Sequence, residues 1–435
     1  MSDVTVTNGA PGDVELAEYR QRVRSWLAAN LERRTGPLRI AVGGPDLTKE
    51  DVDRQRGERR KLFDAGYTGI AWPKEYGGQG LSAEHQRIFT EESADYVLPV
   101  PGGIAGGVTQ RIVAPTILVY GSERQKQEWI PRILSGEEIW VQFLSEPGAG
   151  SDLAGIRTRA VRDGDSWVLN GAKIWSSGAM AADSGICLAR TDWEAPKHRG
   201  LTWFRVPTDA PGVTIRPIRQ INGNAEFCEE FFDDVVIPPE DVFGEVNGGW
   251  PIANDMLAFE RGAETENTVA PARPSPGPLA PDLVTLATSR GLEADSHARQ
   301  RVARAHVNDF LHACLIRRVL AGIVTGKTAP FYASYIKLHA GAITPIRANI
   351  AMELGGTDAV GWDAADDDAA VPSTNYLNSR IIAIAGGSDQ VQRNIISERV
   401  LGLPREPSYD SDKPFNEVLR DAERWGSTPP GGSSR

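Results

Sequence analysis

Residues 157–177 read RTRAVRDGDSWVLNGAKIWSS, and this stretch sets the class of the fold. Arg157–Val161 and Trp167–Leu169 flank Asp163-Gly164, and Ala172–Ser176 follows Asn170-Gly171. Asp-Gly and Asn-Gly favour tight hairpin turns, because glycine reaches positive φ without a Cβ clash. The stretch therefore reads as three short strands joined by two turns. Further strands are expected at Gly185–Arg190, Leu201–Val206, Val213–Ile218 and Phe231–Ile237. Short strands punctuated by turns predict an antiparallel sandwich or barrel over residues 141–245.

The flanks carry a different period. Residues 1–13 are polar and read as a loose arm. Leu16, Tyr19, Val23, Trp26, Leu27 and Leu31 then share one helical stripe. Thr48-x-x-Asp51 and Ser122-x-x-Gln125 have capping-box spacing, opening helices to about Phe63 and to Ser135-Gly136. Gly66–Gly80 reads as a loop, and Ser82–Tyr96 and Gln110–Tyr120 as helices. Residues 1–140 are thus expected to be a helical domain. Helices return from Trp250 through Met256–Arg261, broken by Pro271, Pro274, Pro276, Pro278 and Pro281. They resume at Asp282–Ser289, Ala298–Leu320, Tyr332–Leu354, with a kink at Pro345, and Gln390–Leu401. A C-terminal helical domain is expected over 246–426, followed by a disordered Gly/Pro/Ser-rich tail at 427–435.

The chain has 435 residues, ample for two or three subdomains. Its 47 basic and 58 acidic residues give a net charge of −11, which argues against nucleic acid as a partner. Cys187, Cys228 and Cys314 form no C-x-x-C pair, which fits a reducing, cytoplasmic setting. No apolar run approaches the ~20 residues of a membrane span, no signal peptide is visible, and the six histidines show no metal-binding spacing.

Four segments carry a resemblance that covers nearly the whole chain. Ser145-Glu146-Pro147-Gly148-Ala149-Gly150-Ser151-Asp152 resembles the T/S-E-P-x-A-G-S-D signature of acyl-CoA dehydrogenases. Asn170–Ser177 resembles their N-G-x-K-x-W-[IS]-[TS] segment, and Trp72–Gly78 their W-P-x-x-x-G-G loop. Gly386-Gly387-Ser388-Asp389-Gln390-Val391-Gln392-Arg393 resembles their C-terminal G-[TS]-x-x-x-Q-R segment. The resemblance implies an α+β multi-domain fold: an N-terminal α-helical domain, a middle antiparallel β-barrel and a C-terminal four-helix bundle.

It also implies FAD as cofactor. Trp175 would stack on the flavin and Ser177 would bond its N5 atom, where a hydroxyl can switch between donor and acceptor. Leu144 and Ser145 would bond the pyrimidine edge, with Ser176 in the same segment. Gly387, Ser388 and Gln390 would contact FAD at a helix start, where Asp389-x-x-Gln392 reads as a capping box. Gly355 and Gly356 are matched on the cofactor side, and Ser151, Arg261 and Gly386 on the acyl-CoA side. The implied reaction removes the α-proton of an acyl thioester to a carboxylate while the β-hydride passes to flavin N5.

Many family members carry that carboxylate as a Glu where this chain has Gly386. Others place it on the first C-terminal-domain helix, in an E-R pair matched by Glu260-Arg261, and Glu260 is the expected base. It is expected in a dry slot, where burial raises a carboxyl pKa. The family's R-x-x-F-G segment, which holds the adenosine half of FAD, has no counterpart. Space at Gly386 favours branched, cyclic or polycyclic acyl groups. A dimer or tetramer of identical or related subunits and an electron-transfer flavoprotein as acceptor complete the expectation. Two other readings stay open: a non-catalytic subunit of a heteromeric dehydrogenase, and a same-fold flavin oxidase or monooxygenase.

Overall fold

In the computed structural model, the stripe at 16–31 folds as α1 (Asp13–Asn30). The structure describes residues 12–34, 47–260, 280–361, 367–408 and 410–426. The expected N-terminal arm apart from Gly12 and Asp13, most of the proline run, and the 427–435 tail lie outside them. Tyr19, Val23 and Leu27 of α1 are buried against Leu62 of α2 (Lys49–Asp64) and Ile88 and Phe89 of α3 (Ala83–Ser93). The reciprocal Thr48–Asp51 bonds start α2. After α4 (Ile104–Val108) a single π-turn at Thr109–Val113 leads into α5 (Ala114–Tyr120). The Ser122–Gln125 box opens α6 (Glu123–Ser135), which Gly136 closes at φ +80°. Each box satisfies helix-start amides that would otherwise lack partners.

The middle of the chain forms one eight-stranded sheet, comprising β1 (Trp140–Phe143), β2 (Arg159–Asp163), β3 (Ser166–Ser177), β4 (Ser184–Arg190), β5 (Leu201–Pro207), β6 (Val213–Ile218), β7 (Phe227–Ile237) and β8 (Val242–Phe243). Strand order is β6-β7-β3-β2-β4-β5-β8, with β1 lying parallel to β4; Phe143, Leu169, Cys187, Phe204, Phe232 and Val235 fill the core. The Asp163-Gly164 hairpin forms as expected. The Asn170-Gly171 turn does not: β3 runs straight through it, and Asn170 faces two residues, Asp233 and Asp234, at a bulge in β7. Gly171 has φ +147°, and a Cβ there would stand 2.7 Å from Thr158 Cα. The dipeptide thus supplies close approach rather than reversal, because the long β7 keeps pairing on both sides of it.

Helix α7 (Gly249–Glu260) ties the sheet to the C-terminal helices. Ile252, Ala253 and Met256 are buried with Trp140, Leu188, Trp203 and Phe243, and Trp203 donates its indole N–H to the Gly249 carbonyl at 2.8 Å. Beyond it lie α8 (Pro281–Ser289), α9 (Ser296–Val324), α10 (Ser334–Gly355, with Pro345 inside), α11 (Asp367–Asn378) and α12 (Asp389–Ile395). A final helix, α13 (Phe415–Gly426), returns to the sheet: the Phe415 and Asn416 amides donate to the Ala195 and Trp193 carbonyls at 3.0 Å. No helix among the described residues is long and apolar enough to cross a membrane.

Candidate active site

Two of the quoted segments are welded together by a buried ion pair. Glu146 lies in one and Lys173, fully buried, in the other. The Lys173 ammonium donates to Glu146 at 2.8 Å and to the Leu144 carbonyl at 2.9 Å. The other Glu146 donors are the amides of Arg157, at 2.6 Å, and Thr158, at 2.9 Å. Lys173 and these donors hold its carboxyl below the usual range even though burial pushes the other way. A buried carboxylate persists only when paired and hydrogen-bonded in this manner. The Ile174 amide adds a bond to the Ser145 carbonyl at 2.9 Å. Leu144, Ser145, Trp175 and Ser177 are therefore brought together by groups that their resemblance alone did not single out.

Trp175 sits at a second bulge in β3, at φ +70° and 56 % exposed. A bulky residue at positive φ is strained, and strain of this kind concentrates at functional positions. Beyond an edge contact with Phe227, its flat apolar face is open to a planar ligand. Ser177 is half-buried beside it. The Ser176 hydroxyl faces the other way. The side chain is buried and the hydroxyl donates to Glu230 at 2.9 Å, because the bulge turns it into the sheet interior. Ser151 is exposed, and its neighbour Asp152 accepts from Lys197 at 3.1 Å.

The second group of residues lies where α7 ends. A Cβ on Gly386, at φ +67°, would stand 3.2 Å from Glu260 Oε1 and 3.5 Å from Lys337 Cε. The Glu260 carboxylate thus reaches the place from which a side chain at 386 would project. Glu260 is exposed in the isolated chain, so the expected dry slot is not formed by the described residues of one chain. Arg261 lies outside the described residues. The Gly386-Gly387 turn is held by the buried Gln392, whose amide donates to both glycine carbonyls at 3.2 Å.

This corrects the expected Asp389–Gln392 capping box. Ser388 is the N-cap of α12, accepting from the Val391 amide at 3.3 Å, so its hydroxyl serves the helix. A cap one residue earlier leaves Gln392 free to point back at the turn. Gln390 is exposed; Gly356 is open, at φ +61°, and Gly355 is packed against Ala359. The exposed indole of Trp175, the half-buried Ser177 and the half-buried Leu144–Ser145 segment fit the ring of FAD. No group of three or more metal-binding side chains occurs among the described residues.

Three family models match the chain in order: the acyl-CoA dehydrogenase N-terminal domain over residues 15–137, the middle domain over 142–235 and the C-terminal domain over 247–401. Acyl-CoA dehydrogenase IpdE1 of Mycobacterium tuberculosis is 38 % identical over 397 residues, covering 91 % of this chain and 99 % of its own. Human mitochondrial short-chain specific acyl-CoA dehydrogenase is 29 % identical, covering 89 % and 91 %. Among solved structures, the Tcur3481-Tcur3483 steroid ACAD is similar with a TM-score of 0.71 and 28 % identity, over 92 % of this chain and 100 % of that one. The ChsE4-ChsE5 complex of M. tuberculosis gives 0.68 and 29 %, over 92 % and 100 %.

Proposed function

The chain belongs to the acyl-CoA dehydrogenase family and introduces a double bond between the α and β carbons of an acyl-CoA, and we propose that Glu260 is the base that takes the α-proton. One observation carries the assignment: Glu260 Oε1 lies 3.2 Å from where a Cβ on Gly386 would be, so α7 delivers a carboxylate to the place where a side chain is missing. FAD, when bound against Trp175 with Ser177 at its reactive edge, supplies the acceptor for the β-hydride.

The side chains have separable duties. Trp175 supplies the stacking face, and Leu144, held by Lys173, and Ser145, held by the Ile174 amide, meet the polar edge of the ring. Ser151 lies on the acyl-CoA side. Bound substrate and cofactor exclude water from Glu260, which suits its carboxylate to proton abstraction. The electrons leave to an electron-transfer flavoprotein.

Glu260→Gln is expected to retain flavin absorbance while slowing anaerobic bleaching by acyl-CoA about a hundred- to ten-thousandfold. Bleaching at the wild-type rate would remove Glu260 from the mechanism.

The acyl group is bulky. Gly386 puts no side chain beside the carboxylate, and one of the similar solved structures is a steroid ACAD. Turnover across an acyl-CoA panel with a dye acceptor is expected to favour branched or polycyclic chains, and fastest turnover on butanoyl-CoA overturns this. A second reading is that the chain works beside a related subunit, favoured by the two-chain relatives and by exposed apolar residues on α9. Purification of the chain alone decides it: colourless protein that gains FAD only with a partner supports the pair, and stoichiometric FAD in a homo-oligomer refutes it.

A further inference from the structure

Regular alternation along β3 would place residues 173, 175 and 177 on the interior face of the sheet. Lys173 is indeed fully buried, yet Trp175 is 56 % exposed and the small Ser176 is buried instead. The switch occurs because Ile174 pairs with Glu229 and Ser176 with the adjacent Cys228, leaving Trp175 as the extra residue of a bulge. Hydrophobicity alone favours the opposite arrangement, with indole inside and hydroxyl outside. Positive φ at a tryptophan adds backbone strain to that preference. Something inside the sheet must reward Ser176 for pointing inward.

That reward is a single hydrogen bond. Glu230 on β7 is fully buried, and Ser176 Oγ donates to its Oε2 at 2.9 Å. The other oxygen, Oε1, has no hydrogen-bond partner among the described residues. A one-residue slip of β3 would move Ser176 away and leave a buried carboxyl with no hydrogen bond at all, which is strongly disfavoured.

We propose that Glu230 is a positioning residue for the flavin-stacking Trp175, locking the β3 bulge through the Ser176 hydroxyl. This rests on reading Trp175 as the stacking residue. Burial raises the Glu230 carboxyl to about 7 against the opposing effects of Ser176 and Lys173, so a neutral amide is a close substitute for it.

The test is the affinity of flavin-free protein for FAD, read from flavin fluorescence, with circular dichroism confirming the fold. Trp175→Ala is expected to weaken binding about tenfold or more, and Glu230→Ala and Ser176→Ala about three- to thirtyfold. Glu230→Gln, whose amide oxygen still accepts from Ser176, is expected to bind within about twofold of wild type. Glu230→Ala on top of Trp175→Ala is expected to cost nothing further, because residues acting through one another are not additive. Wild-type affinity in Glu230→Ala and Ser176→Ala, or a loss that adds to that of Trp175→Ala, overturns the role of Glu230 alone. Wild-type affinity in Trp175→Ala overturns the stacking assignment and the role of Glu230 with it. Ser176→Ala carries the comparison if Glu230→Ala does not fold.

Discussion

Glu230 and the Lys173–Glu146 pair show how single buried ionisable groups shape β3. The Glu230 carboxyl is raised from 4.5 to about 7, chiefly by burial. Lys173 opposes the rise and Glu229 adds to it, and the nearby Cys187 thiol, pushed up to about 12, stays neutral. The folded chain therefore keeps a proton that the unfolded chain has released between pH 4.5 and about 7. Stability from this group is complete below that window and is lost as pH rises through it. Glu230→Gln, which does not titrate, is expected to be more stable than wild type at pH 8 by about 2–3 kcal/mol, with the gap closing towards pH 5. Urea midpoints at the two pH values check this, and a gap independent of pH refutes it. Lys173→Met leaves Glu146 buried and unpaired, and is expected to cost about 3–5 kcal/mol in the same measurement.

At the scale of elements, the C-terminal return is the feature with the clearest consequence. Phe415 of α13 is buried with its ring centre 3.7 Å from the Arg190 guanidinium, and Lys197 bridges Asp152 at 3.1 Å and Asp410 at 2.8 Å. The final helix is thereby fastened to the loop that also holds the Ser151 segment. Phe415→Ala is expected to cost about 3–5 kcal/mol, read as a lowered melting temperature; an unchanged one would mean that α13 does not hold the loop. The 391–426 stretch also marks a limit of sequence reading. Phe415, Val418, Leu419 and Ala422 have helical spacing, yet α13 was outside the expected helices and nothing local names Arg190 as its dock. Helix α11 and strand β1 were likewise not expected, the strand because four residues carry too little periodicity. Asn170-Gly171 carried a strong local turn signal that pairing with β7 overrode.

For the whole molecule, exposed apolar surface on a long helix points to association. Val307 and Leu311, one turn apart on α9, are 52 % and 53 % exposed. Residues of this kind are buried by subunit contact in stable oligomers. Light scattering is expected to show a dimer or larger assembly, of one chain or of two related chains, and Leu311→Glu is expected to shift it towards monomer. An unshifted mass would place the interface elsewhere.

The sequence by itself determined the helix–sheet–helix order, the two capping boxes and the family, because these rest on local spacing and on motifs that lie contiguous in the chain. Only the tertiary structure decided that Ser176 turns inward to Glu230, that Lys173 holds Glu146 and Leu144, that Ser388 caps α12, and that Glu260 arrives beside Gly386. Each is a contact between residues far apart in sequence or a register choice between strands, and such choices are settled by which buried polar groups find partners once the whole chain has packed.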